Sequence, residues 1–166
     1  MLYIAFGIIL LAAAADQITK LLIFGHDCAV IPGLFKFASV ENHGMVWGLA
    51  NGVSGLMIVV SIVTAAVIAV MIWLLVKYRK VMGAPIAIAL AAVIGGAIGN
   101  LIDRVALGYV RDFICTEFID FPVFNTADIF VTLGAIALGV LIIFTKKGHA
   151  LMAAIFPEDS ADKKKK

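Results

Sequence analysis

The sequence predicts an all-α integral membrane protein with four transmembrane helices and a small extracytoplasmic β-sheet in the first outer loop. Of its 166 residues, 63% are hydrophobic and only 14% are charged, and the mean hydropathy of +1.11 is far above that of a soluble domain. Four apolar stretches are long enough to cross a hydrocarbon core of about 30 Å, which takes about 20 helical residues. Helices are expected because lipid cannot satisfy the backbone groups of an open sheet edge.

The four predicted spans differ in polar content. The first holds Asp16 and Lys20 in an otherwise apolar run, the second has no charged residue, and the fourth has Asp128 in its early turns. A secretory signal is the alternative for the first span, because LLAAAAD has a small-residue end. No basic segment precedes it and the apolar run continues, so a retained span is favoured. The spans cover approximately residues 2–24, 53–76, 82–102 and 123–144.

Lysine and arginine in the connections predict the orientation. The segment KYRK at 77–80 follows the second span, and Lys146, Lys147 and the run 163–166 follow the fourth. The positive-inside rule places these residues in the cytoplasm, so an N-in/C-in topology is expected. The predicted parts are outer connections over 25–52 and 103–122, a four-helix membrane domain over 1–150, and a polar, Lys-rich cytoplasmic tail over 151–166.

The first outer connection has strand character. Pro32 and Gly33 form a turn signal, and the apolar and aromatic stretch LFKFASV follows them. A small sheet lying on the bilayer is therefore predicted. It either covers or guides a substrate at the rim, or only faces the membrane.

Polar residues of three spans fall at one depth of the predicted bundle. Acidic residues inside spans are expensive, so a shared layer of them indicates a functional site. Structural alternatives exist for each pair: Asp16 and Lys20 are four residues apart and can neutralise each other, and Asn125 can cap a helix that Asp128 favours through the dipole. The layer comprises Asp16, Asn100, Asp103, Arg104, Asp112, Asn125 and Asp128.

Asp112 and Asp128 are the candidate catalytic pair. The sixteen residues between them include Pro122, so the chain can turn back and bring the two acids together. Two carboxylates in a low-dielectric rim share one proton, which makes one a base and the other an acid. Such a pair can activate a water against a carbonyl and protonate the leaving amine without a metal or a covalent intermediate. The sequence therefore predicts amide hydrolysis at a membrane surface.

Rival site chemistries have weaker support. The three histidines cannot surround a zinc ion, because His149 follows the fourth span and no HExxH motif occurs, so no metal and no cofactor are expected. Cys28 and Cys115 both lie outside, where a disulfide is possible, but two free thiols are favoured. The net charge of +2 predicts no nucleic-acid partner. A proton-coupled transporter would need ionisable residues at the midplane, and a purely structural subunit would not need the polar layer.

Five short motifs occur in order and fit the predicted topology: D-x-x-T-K at 16–20, N-x-G at 42–44, GGAIGNLIDR at 95–104, G-Y-V-x-D-F at 108–113 and F-N-x-A-D at 124–128. Together they resemble the lipoprotein signal peptidase family, also called signal peptidase II. The motif N-x-G continues here with Met45-Val46-Trp47-Gly48, where the family has smaller residues and an aromatic, so details of the lipid-facing pocket differ.

The resemblance implies an aspartyl endopeptidase of the bacterial inner membrane, with its active site near the periplasmic face. It would remove signal peptides from diacylglyceryl-modified prolipoproteins, on the N-terminal side of the lipid-bearing cysteine. Its partners would be these substrates and membrane lipids, and a monomer is expected. The resemblance makes Asp112 and Asp128 catalytic, lets Asp16, Asn42, Asn100, Arg104 and Asn125 position substrate or brace the pair, and gives Lys20 and Asp103 supporting roles.

Overall fold

The computed structural model describes residues 1–43 and 55–157, and these form six helices and three strands. Some predictions concern residues that are not described. These are Gly44, residues 45–48, the start of the second span and residues 158–166. In chain order the elements are α1 (Leu2–Ile23), β1 (Cys28–Ile31), β2 (Phe35–Asn42), α2 (Leu56–Lys77), α3 (Arg79–Met82), α4 (Ala84–Leu107), β3 (Val110–Thr116), α5 (Thr126–Phe144) and α6 (Lys146–Ile155).

The helices α1, α2, α4 and α5 are long and apolar enough to cross a membrane, which confirms the four predicted spans. Many of their apolar side chains are exposed, as helices in lipid require. Two predicted boundaries were wrong. The third span continues past residue 102 to Leu107, where Gly108 ends it with φ 81°, so Asp103 and Arg104 lie on the helix and not in the connection. The fourth begins at Thr126, because Asn125 caps it.

Helix α4 lies at the centre of the bundle and packs against α1, α2 and α5. Its buried apolar residues, among them Ile86, Ala91 and Ile94, form the core with side chains of the other helices. A glycine face on α4, formed by Gly95, Gly96 and Gly99, lets the neighbouring helices approach closely. A Cβ on Gly95 would lie 2.6 Å from the Cβ of Ala12 on α1, and one on Gly96 would lie 2.5 Å from the backbone oxygen of Ala127 on α5.

The three strands form one antiparallel sheet in the order β1-β2-β3. The first two strands come from the first outer connection, as predicted. The third comes from the second outer connection, where the sequence analysis placed only a loop, so that part of the prediction was incomplete. In the register of β2 with β3, Val40 lies opposite Asp112 and Asn42 opposite Val110. The sheet therefore joins the two outer connections and carries Asp112.

The chain after β3 turns back along the same strand. Ile114 pairs with Phe124 in an isolated antiparallel bridge, with its N–H 2.8 Å from the Phe124 oxygen and its own oxygen accepting the Phe124 N–H at 3.1 Å. Since Asn125 follows Phe124 directly, this bridge starts α5 beside β3.

Helices α3 and α6 lie together at the opposite end of the bundle. Thr145 caps α6 by accepting the Gly148 N–H at 3.0 Å, and Leu151 of α6 is buried against the core. Residues 151–155, which the sequence analysis assigned to the polar tail, are thus part of a packed helix, and the tail beyond them stays a prediction.

Candidate active site

The start of α5 is a reciprocal cap between Asn125 and Asp128. The Asp128 backbone N–H donates to Asn125 Oδ1 at 3.1 Å, and the Asn125 backbone N–H donates to Asp128 Oδ2 at 3.0 Å. This is the capping role that the sequence analysis held as the structural alternative. It leaves Asp128 Oδ1 for another partner, Asn100, whose Nδ2 donates to it at 2.9 Å. Capping and site formation therefore use different atoms of the same two residues.

Asp112 lies on β3 and is almost fully buried, with 2% of its surface exposed. Its Oδ2 accepts from Asn42 Nδ2 at 2.8 Å, and its Oδ1 accepts from Asn125 Nδ2 at 2.6 Å. Asn125 thus contacts both acids, through its amide group to Asp112 and through its oxygen and backbone to Asp128. The structure brings the two predicted catalytic residues into one hydrogen-bonded cluster.

Both acids line the same cavity, whose volume is about 480 Å³. Apart from Asn42 and Thr132, the remaining wall is apolar. We call this cavity the groove. Its lining residues are Asn42, Asp112, Phe121, Pro122, Val123, Phe124, Asp128, Ile129, Thr132 and Leu133.

Burial, and to a lesser extent the negative charge of Asp128, raise the pKa of Asp112 to about 6. The amide donors of Asn42 and Asn125 act in the opposite direction, because they favour the ionised form. The burial effect is the larger one. Asp112 therefore keeps its proton at pH values where an ordinary aspartate has lost it.

A buried charge cluster lies behind the two acids. Lys20 Nζ is fully buried and contacts Asp16 Oδ2 at 2.8 Å, Asp103 Oδ2 at 3.3 Å and Asn100 Oδ1 at 2.9 Å. A buried ammonium group needs such partners, since its desolvation is costly. The pairing of Asp16 with Lys20 is thus real, and Asn100 extends it to Asp128.

Asp16 also holds the beginning of α5. Its Oδ1 accepts the backbone N–H of Ala127 at 2.9 Å, and Thr19 and Thr126 share a hydroxyl contact of 2.8 Å. The first turn of α5 is thereby fixed against α1, and Asp128 lies in that turn.

Arg104, one of the predicted site residues, has a hydrogen-bond donor that is not used within the described part of the chain. Its buried Nε has no hydrogen-bond partner among residues 1–43 and 55–157. The guanidinium is close enough to Asp128 and Asp112 to interact electrostatically with both. The Nε–H group in this position can donate a hydrogen bond to an incoming carbonyl oxygen.

Two residues of the cluster were missed by the sequence analysis. Arg111 forms an ion pair with Asp103 at 2.8 Å, and Gln17 donates to Asp103 Oδ1 at 3.0 Å. Arg111 precedes Asp112 directly, and Gln17 lies inside the first motif, so adjacency was the available signal. Sequence spacing alone could not show that both reach the same carboxylate.

Among the described residues, no cysteine or histidine lines the groove. Cys28 on β1 is exposed, Cys115 on β3 is half-buried, and both are free thiols, as the sequence predicted. His149 lies on α6 at the opposite end and contacts the Ile143 oxygen at 2.8 Å. The absence of a metal and of a cofactor stays a prediction.

The fold and the site define an integral membrane protein with a pair of acidic side chains in a groove at one end of a helical bundle. The family profile described as Signal peptidase (SPase) II matches residues 8–144. The chain therefore belongs to the signal peptidase II family, whose members are peptidases.

Relatives and solved structures agree with this assignment. The lipoprotein signal peptidase of Enterococcus faecalis is 37% identical over 153 residues, covering 89% of this chain and 92% of that protein. That of Caldanaerobacter subterraneus subsp. tengcongensis is 42% identical over 135 residues, covering 78% and 88%. A bacterial membrane enzyme solved by the in meso method at 1.9 Å superposes with a TM-score of 0.75 at 30% identity, covering 88% of this chain and 96% of that one.

Proposed function

We propose that this protein is a membrane-embedded aspartyl endopeptidase that cleaves the signal peptide from diacylglyceryl-modified prolipoproteins, on the N-terminal side of the lipid-bearing cysteine. The observation that carries the proposal is that Asp112 and Asp128 line one apolar groove and are joined through Asn125. The names of the relatives support the substrate class, since they are lipoprotein signal peptidases.

In the proposed reaction Asp112 carries the proton of the pair at rest, and Asp128 is the base. Asp112 is buried among neutral amides, whereas Asp128 accepts N–H bonds at the positive end of α5, which suits an anion. Asp128 removes a proton from the attacking water while Asp112 donates its own to the scissile carbonyl oxygen. The tetrahedral diol then collapses: the C–N bond breaks, Asp128 protonates the leaving amine, and a diol hydroxyl returns a proton to Asp112.

The groove suits a substrate that arrives within the membrane. Its walls of Phe121, Phe124, Ile129 and Leu133 can take the end of an apolar signal helix or the acyl chains of the modified cysteine. We assign Arg104 and Asn42 to hold the backbone and the lipid-linked residue across the two acids. Fixing the scissile amide in this way lowers the barrier by removing orientational freedom before the chemical step.

The proposed orientation is N-in/C-in, in a bacterial inner membrane, with the groove near the periplasmic face. Lys77, Arg79, Lys80, Lys146 and Lys147 all lie at the ends of the spans opposite the groove. The positive-inside rule puts that end in the cytoplasm. The protein is proposed to act as a monomer.

The test is cleavage of a lipid-modified precursor by purified protein in detergent or lipid. Asp112→Asn and Asp128→Asn keep the size of each side chain but remove its acid–base function, so kcat should fall by about 10²–10⁴-fold. Asp120→Asn is the matched control, because Asp120 is exposed in the same connection and does not line the groove. Full activity in either dyad variant would refute the aspartyl mechanism.

A second measurement tests the substrate class. A precursor that lacks the diacylglyceryl group should be cleaved far more slowly than its modified form, because the apolar wall then loses its contacts with the acyl chains. Equal rates would contradict the assigned substrate.

A transporter would give a different result. The wild type would then conduct protons across vesicle membranes without any peptidase activity, and Asp112→Asn and Asp128→Asn would abolish that flux.

A further inference from the structure

Arg111 makes an unusually complete set of bonds to one carboxylate. Its backbone N–H donates to Asp103 Oδ2 at 2.9 Å, its Nε donates to the same oxygen at 3.2 Å, and its Nη2 donates to Asp103 Oδ1 at 2.8 Å. The side chain of Asp103 is fully buried and that of Arg111 is 13% exposed. Such two-oxygen pairing fixes the orientation of both groups, which a single contact does not.

Arg111 does not face the groove. Neighbouring residues of a strand point to opposite faces of a sheet, and here Asp112 lines the groove while Arg111 contacts α1 and α4. Arg111 is therefore not placed to contact a substrate in the groove, and its influence on the reaction is indirect.

Gln17 extends the tie to α1. Its Oε1 accepts from Arg111 Nη2 at 2.9 Å, and its Nε2 donates to Asp103 Oδ1 and to the Gly99 oxygen, each at 3.0 Å. Strand β3 is thus joined to the outer end of α4 and to α1 at one point. Asp103 also forms an ion pair with Lys20, which is shared with Asp16.

The same end of α4 also holds Asp128. Asn100, three residues before Asp103, donates to Asp128 Oδ1 at 2.9 Å. One helical turn of α4 therefore contacts Asp128 and the neighbour of Asp112: Asn100 binds Asp128 directly, and Asp103 binds Arg111. The relative depth of the two carboxyl groups is set against a common reference.

We propose that Arg111 is a positioning residue, which fixes β3 against the outer end of α4 and so keeps Asp112 at the depth of Asp128. The inference rests on the proposed function, because it assigns Arg111 a role in the reaction of those two acids. Without the guanidinium, Asp112 keeps Asn42 and Asn125, but these are side-chain amides and do not fix the strand.

The decisive variants are Arg111→Met and Arg111→Lys. Methionine keeps the apolar part of the side chain and removes the guanidinium group that binds both oxygens of Asp103. A displacement of about 1 Å at a reacting group can cost about 10²-fold in rate. We expect kcat to fall by about 10–100-fold in Arg111→Met while KM changes by less than about 3-fold, because the groove is untouched. Lysine restores the charge but cannot bind both oxygens, so Arg111→Lys should recover only part of kcat.

The matched control is Lys36→Met on the adjacent strand. Lys36 forms an exposed ion pair with Glu117 at 3.4 Å and lies outside the groove and the buried cluster. The same removal of a cation from the sheet should leave kcat and KM at wild-type values. Each rate is expressed per active site, titrated with a lipopeptide that carries a non-hydrolysable hydroxyethylene group at the scissile bond.

Two results would overturn the inference. Wild-type kcat in Arg111→Met would show that the tie is dispensable, and a loss confined to the number of titratable sites, with normal kcat per site, would show a purely structural role. Failure of the proposed function looks different. In that case wild type would not cleave the lipid-modified precursor, or Asp112→Asn and Asp128→Asn would match it.

Discussion

At the scale of residues, one asparagine serves both the fold and the proposed chemistry. Asn125 accepts the Asp128 N–H as the cap of α5, and its amide group donates to Asp112 and to Asn100 Oδ1 at 3.0 Å. A cap needs only an acceptor oxygen, so Asp or Ser would serve it as well. Neither could donate two amide hydrogens, and an aspartate would add a further carboxyl group beside Asp112 and Asp128. The asparagine is therefore explained by the site and not by the helix.

The pH dependence of the reaction follows from Asp112. Burial raises its pKa to about 6, so the proton is present below that value and is lost as the pH rises through it. The proposed mechanism needs that proton, hence kcat/KM should decline on the alkaline side with a midpoint near the pKa of the free enzyme. Because the Asn42 amide favours the ionised form, Asn42→Ala should move this midpoint to higher pH.

The measurement is kcat/KM against pH for wild type and Asn42→Ala, and it is independent of any loss of overall rate. Asp120→Asn serves again as control, with an unchanged midpoint. A midpoint that moves to lower pH in Asn42→Ala would contradict the assignment of the proton to Asp112. The macroscopic value belongs to the pair of acids, so the direction of the change is the decisive quantity.

At the scale of elements, α4 determines where its neighbours lie. Its glycine face lets α1 and α5 come close, and its outer turns supply Asn100 to Asp128 and Asp103 to Arg111. At Gly99 a Cβ would overlap the Asp16 carboxylate, so the same face also leaves room for the buried cluster. Small residues at helix contacts are the usual means of close packing in membranes. Here the close packing at Gly96 also fixes the position of the first turn of α5, which carries Asp128.

Gly96→Ala tests this packing. A Cβ there would lie 2.5 Å from the Ala127 backbone oxygen, and that backbone belongs to the first turn of α5, beside Asp128. The overlap should destabilise the protein by about 1–3 kcal/mol and lower kcat, because α5 must move. Gly139→Ala on α5 is the matched control, since a Cβ there meets nothing within 4 Å. Thermal unfolding in detergent and the cleavage rate are measured together; equal behaviour of the two variants would refute the packing argument.

At the scale of the whole molecule, the spans and the pair of acids could be predicted from the sequence, but the sheet could be predicted only in part. Spans follow from length and apolarity, and five short motifs carried the family resemblance. Strand β3 was not predicted, because its partner β2 lies some 70 residues earlier, as in the pair Asn42 and Asp112, and no local pattern identifies a distant partner. The bonds of Arg111 and Gln17 to Asp103 join β3 and α1 to α4, and sequence spacing does not show that both side chains reach the same carboxylate.

Acidic residues are distributed unequally between the two ends of the bundle. Within residues 1–43 and 55–157, the acids lie in the outer connections or the adjoining turns of the spans, whereas Lys77, Lys80, Lys146 and Lys147 lie at the other end. The positive-inside rule converts this asymmetry into a direction. Exposed Cys28 on β1 should then face the periplasm, and exposed Lys146 on α6 the cytoplasm.

Labelling with a membrane-impermeant maleimide tests that direction. In spheroplasts, a variant that keeps Cys28 and carries Cys115→Ser should react without permeabilisation, because the β1 thiol is exposed on the outer side. A variant with Cys28→Ser, Cys115→Ser and Lys146→Cys should react only after the membrane is opened. The Lys146→Cys substitution leaves Lys147 and the cations near α3 in place, so the charge asymmetry that orients the chain is retained. The reverse labelling pattern would place the groove in the cytoplasm, where a secreted precursor could not meet it after translocation.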